Sequence, residues 1–179
     1  KVLPTINFLI KKNAKIIIIS HIGRPKGKIV FDLTLKPIAK KIYNLINKNV
    51  LFLKETIGDS AVKKTQSISN GDVLLLENLR FFKEEELNEE SFAKELSKLG
   101  DIYINEAFSC SHRKQASIHK ITKFAKHSYG GPLLKREIEA INFIIKGKKE
   151  PITCIIGGSK ISTKINIFSK LMQKVNNIV

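Results

Sequence analysis

Five short runs of aliphatic, mostly β-branched residues recur along the chain: Lys15 to Ile19, Val50 to Leu53, Val73 to Leu76, Ile102 to Ile104 and Ile152 to Ile156. Each is nearly continuous in its apolar character, as parallel strands covered on both faces must be; a half-solvated antiparallel sheet would alternate apolar with polar. Amphipathic stretches separate the runs, at about 36–46, 57–68, 89–99 and 118–124, and another from Val2 to Lys12 opens the chain. Pro4 is compatible with that first helix because it falls in the first turn, where its missing N–H has no partner to lose. Parallel strands need long crossovers, usually helical, and these spacings supply them. The pattern predicts an α/β fold, a doubly wound parallel (Rossmann-like) sheet with helices on both faces.

A boundary is expected late. Tyr129-Gly130-Gly131-Pro132 is a breaker cluster, after which an amphipathic stretch from Leu133 to Ile145 ends at Gly147-Lys148-Lys149-Glu150-Pro151. The strand Ile152 to Ile156 and a helix from Ser162 to Met172 would form the first βα unit of a second, similar domain, with another strand opening at Asn177-Ile178-Val179. The expected organisation is thus a domain over 1–131, an interdomain helix and hinge over 132–150, and the start of a second domain over 151–179. With no starting Met and a strand opening at its end, the chain is expected to be part of a longer protein.

Composition narrows the class. With 42% hydrophobic and 27% charged residues the chain reads as globular, and no apolar run approaches the roughly 20 residues of a membrane span. Nothing resembles a secretory leader. Cys110 and Cys154 show no metal-ligand spacing and read as small apolar fillers in a reducing cytoplasm. The net charge of +16 invites a nucleic-acid reading, but the lysines are scattered through every helix without an Arg-rich stripe or an aromatic stacking motif, so the charge is read as solvated surface.

In open α/β sheets ligands bind beyond the carboxyl ends of the strands. The first strand is followed there by Ser20-His21-Ile22-Gly23-Arg24-Pro25-Lys26-Gly27, the third by Glu77-Asn78-Leu79-Arg80-Phe81, and the fourth by Asn105-Glu106-Ala107-Phe108-Ser109-Cys110-Ser111-His112-Arg113. Only four arginines occur, and Arg24, Arg80 and Arg113 all fall in these loops while lysine fills the surfaces. Arginine's planar fork suits carboxylate and phosphate. Three arginines with His21 and His112 therefore read as a site for a small polyanion. Glu84-Glu85-Glu86 reads as a solvated acidic stretch ahead of a helix. After the last strand, Gly157-Gly158-Ser159-Lys160 could bring backbone N–H groups to an anion at a helix N-terminus, although a plain glycine-assisted turn is an equal reading. Lys164 would share a helix face with Lys160, so that the two could span a string of phosphates.

Together, Leu3-Pro4-Thr5-Ile6, Ser20 to Gly27, Asp72 to Phe81, Ala107-Phe108 with Ser111-His112-Arg113, and Gly157-Gly158-Ser159-Lys160 with Lys164 resemble the phosphoglycerate kinase family nearly end to end. The resemblance implies a cytoplasmic, monomeric phosphotransferase that interconverts ATP and 3-phosphoglycerate with ADP and 1,3-bisphosphoglycerate, with Mg2+ accompanying the nucleotide and no metal bound by the protein itself. It further implies that His21, Ile22, Gly23, Arg24, Arg80 and Arg113 hold the phosphoglycerate, with His112 beside them. Gly157, Gly158 and Lys164 would meet the nucleotide phosphates, and Lys160 would follow the transferred group. By the same resemblance, a first strand with further substrate contacts would precede Lys1 and most of a nucleotide domain would follow Val179, leaving this chain alone inactive. The sequence departs from the family's usual residues at Glu106, Gln115, Ser159 and Thr163, which bears on the geometry of the Arg113 loop and of the lysine helix. An inactive truncated product and a basic α/β protein binding nucleic acid or another polyanion are the alternatives.

Overall fold

The computed structural model describes residues 1–146, 151–155 and 175–179. The chain divides into two compact units, Lys1–Leu134 and Lys135–Val179. In the first, β1 (Ile16–Ile18), β2 (Val50–Leu53) and β3 (Val73–Leu76) form a parallel ladder in the order β1-β3-β2, with Ile16 and Val50 both in register with Val73. A second parallel ladder joins β4 (Ile102–Asn105) to β5 (His127–Gly130).

Every residue of β3 is sealed from solvent, and its alternating side chains explain why the run is apolar throughout. Leu74 and Leu76 face one way, into a core with Ala61 of α3 (Asp59–Ser67) and with Phe92, Ala93 and Leu96 of α5 (Glu90–Ser97). Val73 and Leu75 face the other way. Val73 meets Ile6 of α1 (Leu3–Lys11), and Leu75 meets Leu35 and Ala39 at the start of α2 (Lys36–Ile46). Each buried leucine side chain contributes roughly 1.5–3 kcal/mol, so covering both faces of this strand is a main source of the unit's stability. The fold is the expected α/β arrangement, parallel strands with helices on both faces, with the first unit's hydrogen bonding divided between a three-stranded and a two-stranded sheet.

Two sequence expectations need correction. Tyr129 and Gly130 are expected in a breaker cluster with Gly131 and Pro132, whereas they end a strand, β5, that no reading of the sequence anticipates; His-Ser-Tyr-Gly lacks an aliphatic signal because all four residues are exposed. The helix expected over 118–124 begins earlier, as a π-helical turn over Ala116–Lys120 that runs into α6 (Ile121–Phe124). A short helix, α4 (Lys83–Glu86), precedes α5. The helix α7 (Pro132–Ile145) starts in the first unit and continues into the second. There β6 (Thr153–Cys154) pairs in parallel with β7 (Asn177–Ile178), within the stretches expected to be strands. The helix expected over Ser162 to Met172 lies outside the described residues. Among the described residues no helix is long and apolar enough to cross a membrane.

Candidate anion-binding site

The site is built on the residues that leave the carboxyl end of β3. Glu77 follows the sealed strand directly, and its carboxylate accepts hydrogen bonds from the Thr34 hydroxyl (2.6 Å) and from the backbone N–H groups of Leu35 and Asn78 (both 2.8 Å). It thus stands at the N-terminus of α2, where a negative charge meets unpaired amides and the positive helix end. Asn78 is fully buried. Its Oδ1 accepts from the Arg80 amide at 3.1 Å, and its Nδ2 donates to the carbonyls of Ile22 and Leu33, both at 2.9 Å. One side chain therefore joins the loop after β1, the turn before α2 and the turn that carries Arg80.

Gly23 lies beyond Ile22 with φ of +67°, a left-handed conformation, and a Cβ there would come within 2.7 Å of the Leu33 side chain. Only glycine fits both the backbone and the space. The Gly23 carbonyl accepts a 2.7 Å hydrogen bond from Arg80 Nη1. Arg80 itself is only 5% exposed, which is unusual for an arginine. Its Nε lies 3.9 Å from Glu86 Oε1, beyond hydrogen-bond reach, and has no hydrogen-bond partner among the described residues. A buried guanidinium is thus held chiefly by a carbonyl, which orients the charge without neutralising it.

His21 and Arg113 complete the cluster. Burial lowers the pKa of the half-buried His21 ring, and the positive charges of Arg80 and then Arg113 lower it further against a smaller opposing pull from Glu86. Those two cations therefore bear on one imidazole although their loops leave different strands. Cys110 Sγ lies 3.9 Å from His21 Nε2, so Cys110 is part of the lining and not the apolar filler expected of it. The loop to Arg113 is braced locally: Asn105 Oδ1 accepts from the Ala107 amide (2.8 Å), the Ser111 hydroxyl donates to the Ala107 carbonyl (3.0 Å), and the Arg113 amide donates to the Cys110 carbonyl (2.9 Å).

Of the residues singled out in sequence, the structure brings together His21, Gly23, Arg80 and Arg113, with Ile22 contributing its carbonyl to the scaffold. Arg24 and His112 stand exposed on the same loops, without a hydrogen bond to the cluster. Gly157, Gly158, Ser159, Lys160, Thr163 and Lys164 lie outside the described residues. Glu106 is placed apart from the cluster. Its carboxylate accepts from the Thr5 hydroxyl and from the amides of Leu133 (2.9 Å) and Leu134 (3.1 Å), so it caps α7. Gln115 is buried.

The acidic stretch also departs from expectation, because Glu85 is buried to 2% exposure. The single turn of α4 swings this one carboxylate inward, where the Ser117 amide (2.9 Å) and hydroxyl (2.6 Å) both donate to it. Sequence reasoning passed over Glu77 and Asn78 too. Their signal was available, since two polar residues directly after a fully apolar strand must find partners at once or be left unsatisfied.

The family model described as phosphoglycerate kinase matches residues 1–179, the whole chain. The chain belongs to the phosphoglycerate kinase family. A phosphoglycerate kinase of Wolbachia pipientis wMel is 48% identical over 179 residues, which make up 100% of this chain and 44% of that protein. Among solved structures, phosphoglycerate kinase from Coxiella burnetii superposes with a TM-score of 0.84 at 36% identity, and the enzyme from Pyrococcus horikoshii OT3 with 0.88 at 29%. Each alignment covers 99% of this chain and 44% or 45% of the solved one. The chain thus spans somewhat under half the length of the phosphoglycerate kinases it matches, and its cationic cluster lies in the first of its two units.

Proposed function

We propose that the protein carrying this chain is a cytoplasmic, monomeric phosphotransferase that moves a phosphoryl group reversibly between ATP and the carboxylate of 3-phosphoglycerate. The observation that carries this reading is the cationic cluster beyond the strand ends: Arg80 is buried and oriented by the Gly23 carbonyl, and its charge and that of Arg113 both act on the His21 ring, whose pKa is lowered first by its own burial and then by those two charges. His21, Arg80 and Arg113, with the backbone of Ile22 and Gly23, hold the phosphoglycerate; Arg24 and His112 reach it from the loop rims. Gly157, Gly158, Lys160 and Lys164 take the nucleotide phosphates, and Mg2+ accompanies the nucleotide to neutralise developing charge. In this reading residues 1–131 form the substrate domain, 132–150 the hinge, and 151–179 the start of the nucleotide domain.

The chemistry asks little of the protein's acids and bases. A carboxylate oxygen attacks the γ-phosphorus, the bond from that phosphorus to the bridging oxygen breaks, and ADP leaves with the electron pair. The acceptor is already ionised at neutral pH, so no side chain need remove a proton. Catalysis then rests on positioning and charge neutralisation, and a buried guanidinium oriented by a carbonyl, as in Arg80, is suited to positioning an anion. Excluding water would protect the acyl phosphate from hydrolysis.

The test is an asymmetry, measured on the protein as its gene encodes it. Arg113→Ala should weaken 3-phosphoglycerate binding about ten- to a hundredfold, the loss of one or two charge-assisted hydrogen bonds, and leave ATP binding nearly unchanged; Lys164→Ala should do the reverse. Equal weakening of both ligands by either variant at fixed salt would point to diffuse polyanion binding and refute the assignment.

A further inference from the structure

We propose that Glu85 is a positioning residue that, through Ser117, fixes the loop carrying Arg113 against the segment carrying Arg80. Glu85 lies five residues after Arg80, in the turn of helix that follows it. Ser117 lies four residues after Arg113, in the first turn of the π-helical segment that ends the loop. The two are 32 positions apart in sequence, yet both oxygens of one buried carboxylate are taken by this one serine, Oε2 by its amide and Oε1 by its hydroxyl. Two bonds to one residue fix orientation as well as distance, which a single bond does not.

The arrangement is otherwise hard to account for. Burial pushes the Glu85 carboxyl above the ordinary carboxylate range, more than the Ser117 bonds and the Arg80 charge pull it back, so the ionised group is a net cost in its place. An apolar residue would fill the same space without that cost. What the carboxylate supplies is a fixed length between two cation-bearing segments. Arg80 is anchored on its own side by Gly23. The bracing within the Arg113 loop is internal to residues 105–113 and does not tie that loop to Arg80. The Glu85–Ser117 pair links α4 to the end of the loop, where α4 packs against the π-helical segment; two other polar contacts to that segment, Asn88 Nδ2 to His119 Nδ1 at 3.1 Å and Lys120 Nζ to Glu90 Oε2 at 3.5 Å, lie further from Arg113 along the chain.

The link can be read without any ligand, because His21 senses both arginines. The charged groups acting on its ring are Arg80, Arg113 and Glu86, and Glu85 is not among them. The experiment is a histidine NMR titration of wild type, Glu85→Gln, Ser117→Ala and Glu85→Ala, each paired with a 3-phosphoglycerate titration that rests on the proposed function. Glu85→Gln keeps an acceptor for the Ser117 amide and an amide partner for its hydroxyl, so His21 should titrate as in wild type. In Glu85→Ala the loop is released and Arg113 moves away, so the His21 pKa should rise toward its ordinary value and 3-phosphoglycerate binding should fall about tenfold or more. Ser117→Ala, which keeps the backbone bond, should shift both in the same direction by less.

An unmoved His21 in Glu85→Ala overturns the proposal, as does a Glu85→Gln shift as large as that of Glu85→Ala, since the charge and not the bonds would then matter. If Glu85→Ala does not fold, Ser117→Ala decides by the same criterion. Absence of 3-phosphoglycerate binding in wild type would refute the functional reading while leaving the His21 comparison to decide the role of Glu85.

Discussion

Replacing Asn78 should damage the protein more than any surface change near the cluster, and the size of the effect follows from its three hydrogen bonds. Asn78→Ala removes all of them and leaves the carbonyls of Ile22 and Leu33 and the amide of Arg80 without their partner. A typical intramolecular hydrogen bond is worth about 1 kcal/mol net, and an abandoned buried partner costs about 1–3 kcal/mol, so the total should be about 3–5 kcal/mol. At roughly 3 °C per kcal/mol for a chain of this size, Tm should fall by about 10 °C or more in a scan followed by circular dichroism. Asn78→Asp refines the test. The introduced carboxylate can still accept from the Arg80 amide but has nothing to donate to two buried carbonyls, and it must desolvate a charge. At neutral pH it should therefore be less stable than Asn78→Ala, and on acidification, when the acid gains an O–H donor, the order should narrow or reverse. A drop below about 3 °C for Asn78→Ala, or an Asp variant as stable as wild type at neutral pH, would refute the view that this amide joins the three loops.

Two further outcomes follow from the geometry. A Cβ at Gly131 would fall 2.3 Å from the Glu106 carboxyl carbon, so Gly131→Ala should expel that carboxylate and uncap α7; Gly131→Ala, Glu106→Ala and the double variant should then share nearly one loss of about 1–2 kcal/mol in urea unfolding, and additive losses would show that the glycine acts elsewhere. Because burial, and then the charges of Arg80 and Arg113, hold the His21 pKa below the ordinary value of about 6.5, the unfolded chain binds the extra proton in the window just below that value, so His21 should add stability as pH rises through the window; wild type minus His21→Gln, measured across pH 4 to 8, should show this rise, and a flat difference would mean that neither burial nor the arginines depress the ring's pKa.

Much of the fold was legible because parallel strands advertise themselves. The run Val73 to Leu76 is apolar at every position since helices cover both its faces, and the same logic located β1, β2 and β4. The strand β5 was illegible for the converse reason: all its residues are exposed, and its pairing with β4 comes from the backbone alone. At the site, the placement of arginines after strands could be read from order and spacing, and Arg80 and Arg113 do bear on one histidine. What could not be read was which acids turn inward. Glu84, Glu85 and Glu86 are chemically alike in sequence, and only the phase of a four-residue helix buries the middle one while Glu86 stays near Arg80.

That difference between neighbouring glutamates bears on how a cationic site survives folding without neutralising itself. A buried arginine needs partners, and a tight carboxylate pair would satisfy it while cancelling the charge an anionic ligand requires. Here the strong acceptor of Arg80 is the Gly23 carbonyl at 2.7 Å, an oriented dipole, and the nearest carboxylate is held off at 3.9 Å. Two acids beside the cluster are occupied elsewhere: Glu77 by the start of α2 and Glu85 by Ser117. Each spends its negative charge on backbone amides, and on neighbouring hydroxyls, that fix a loop end, so the loops are pinned by acids and the arginines are left net positive. Moving one of those acids by a single methylene, as in Glu85→Asp, should therefore disturb the geometry of the cluster while leaving its net charge unaltered.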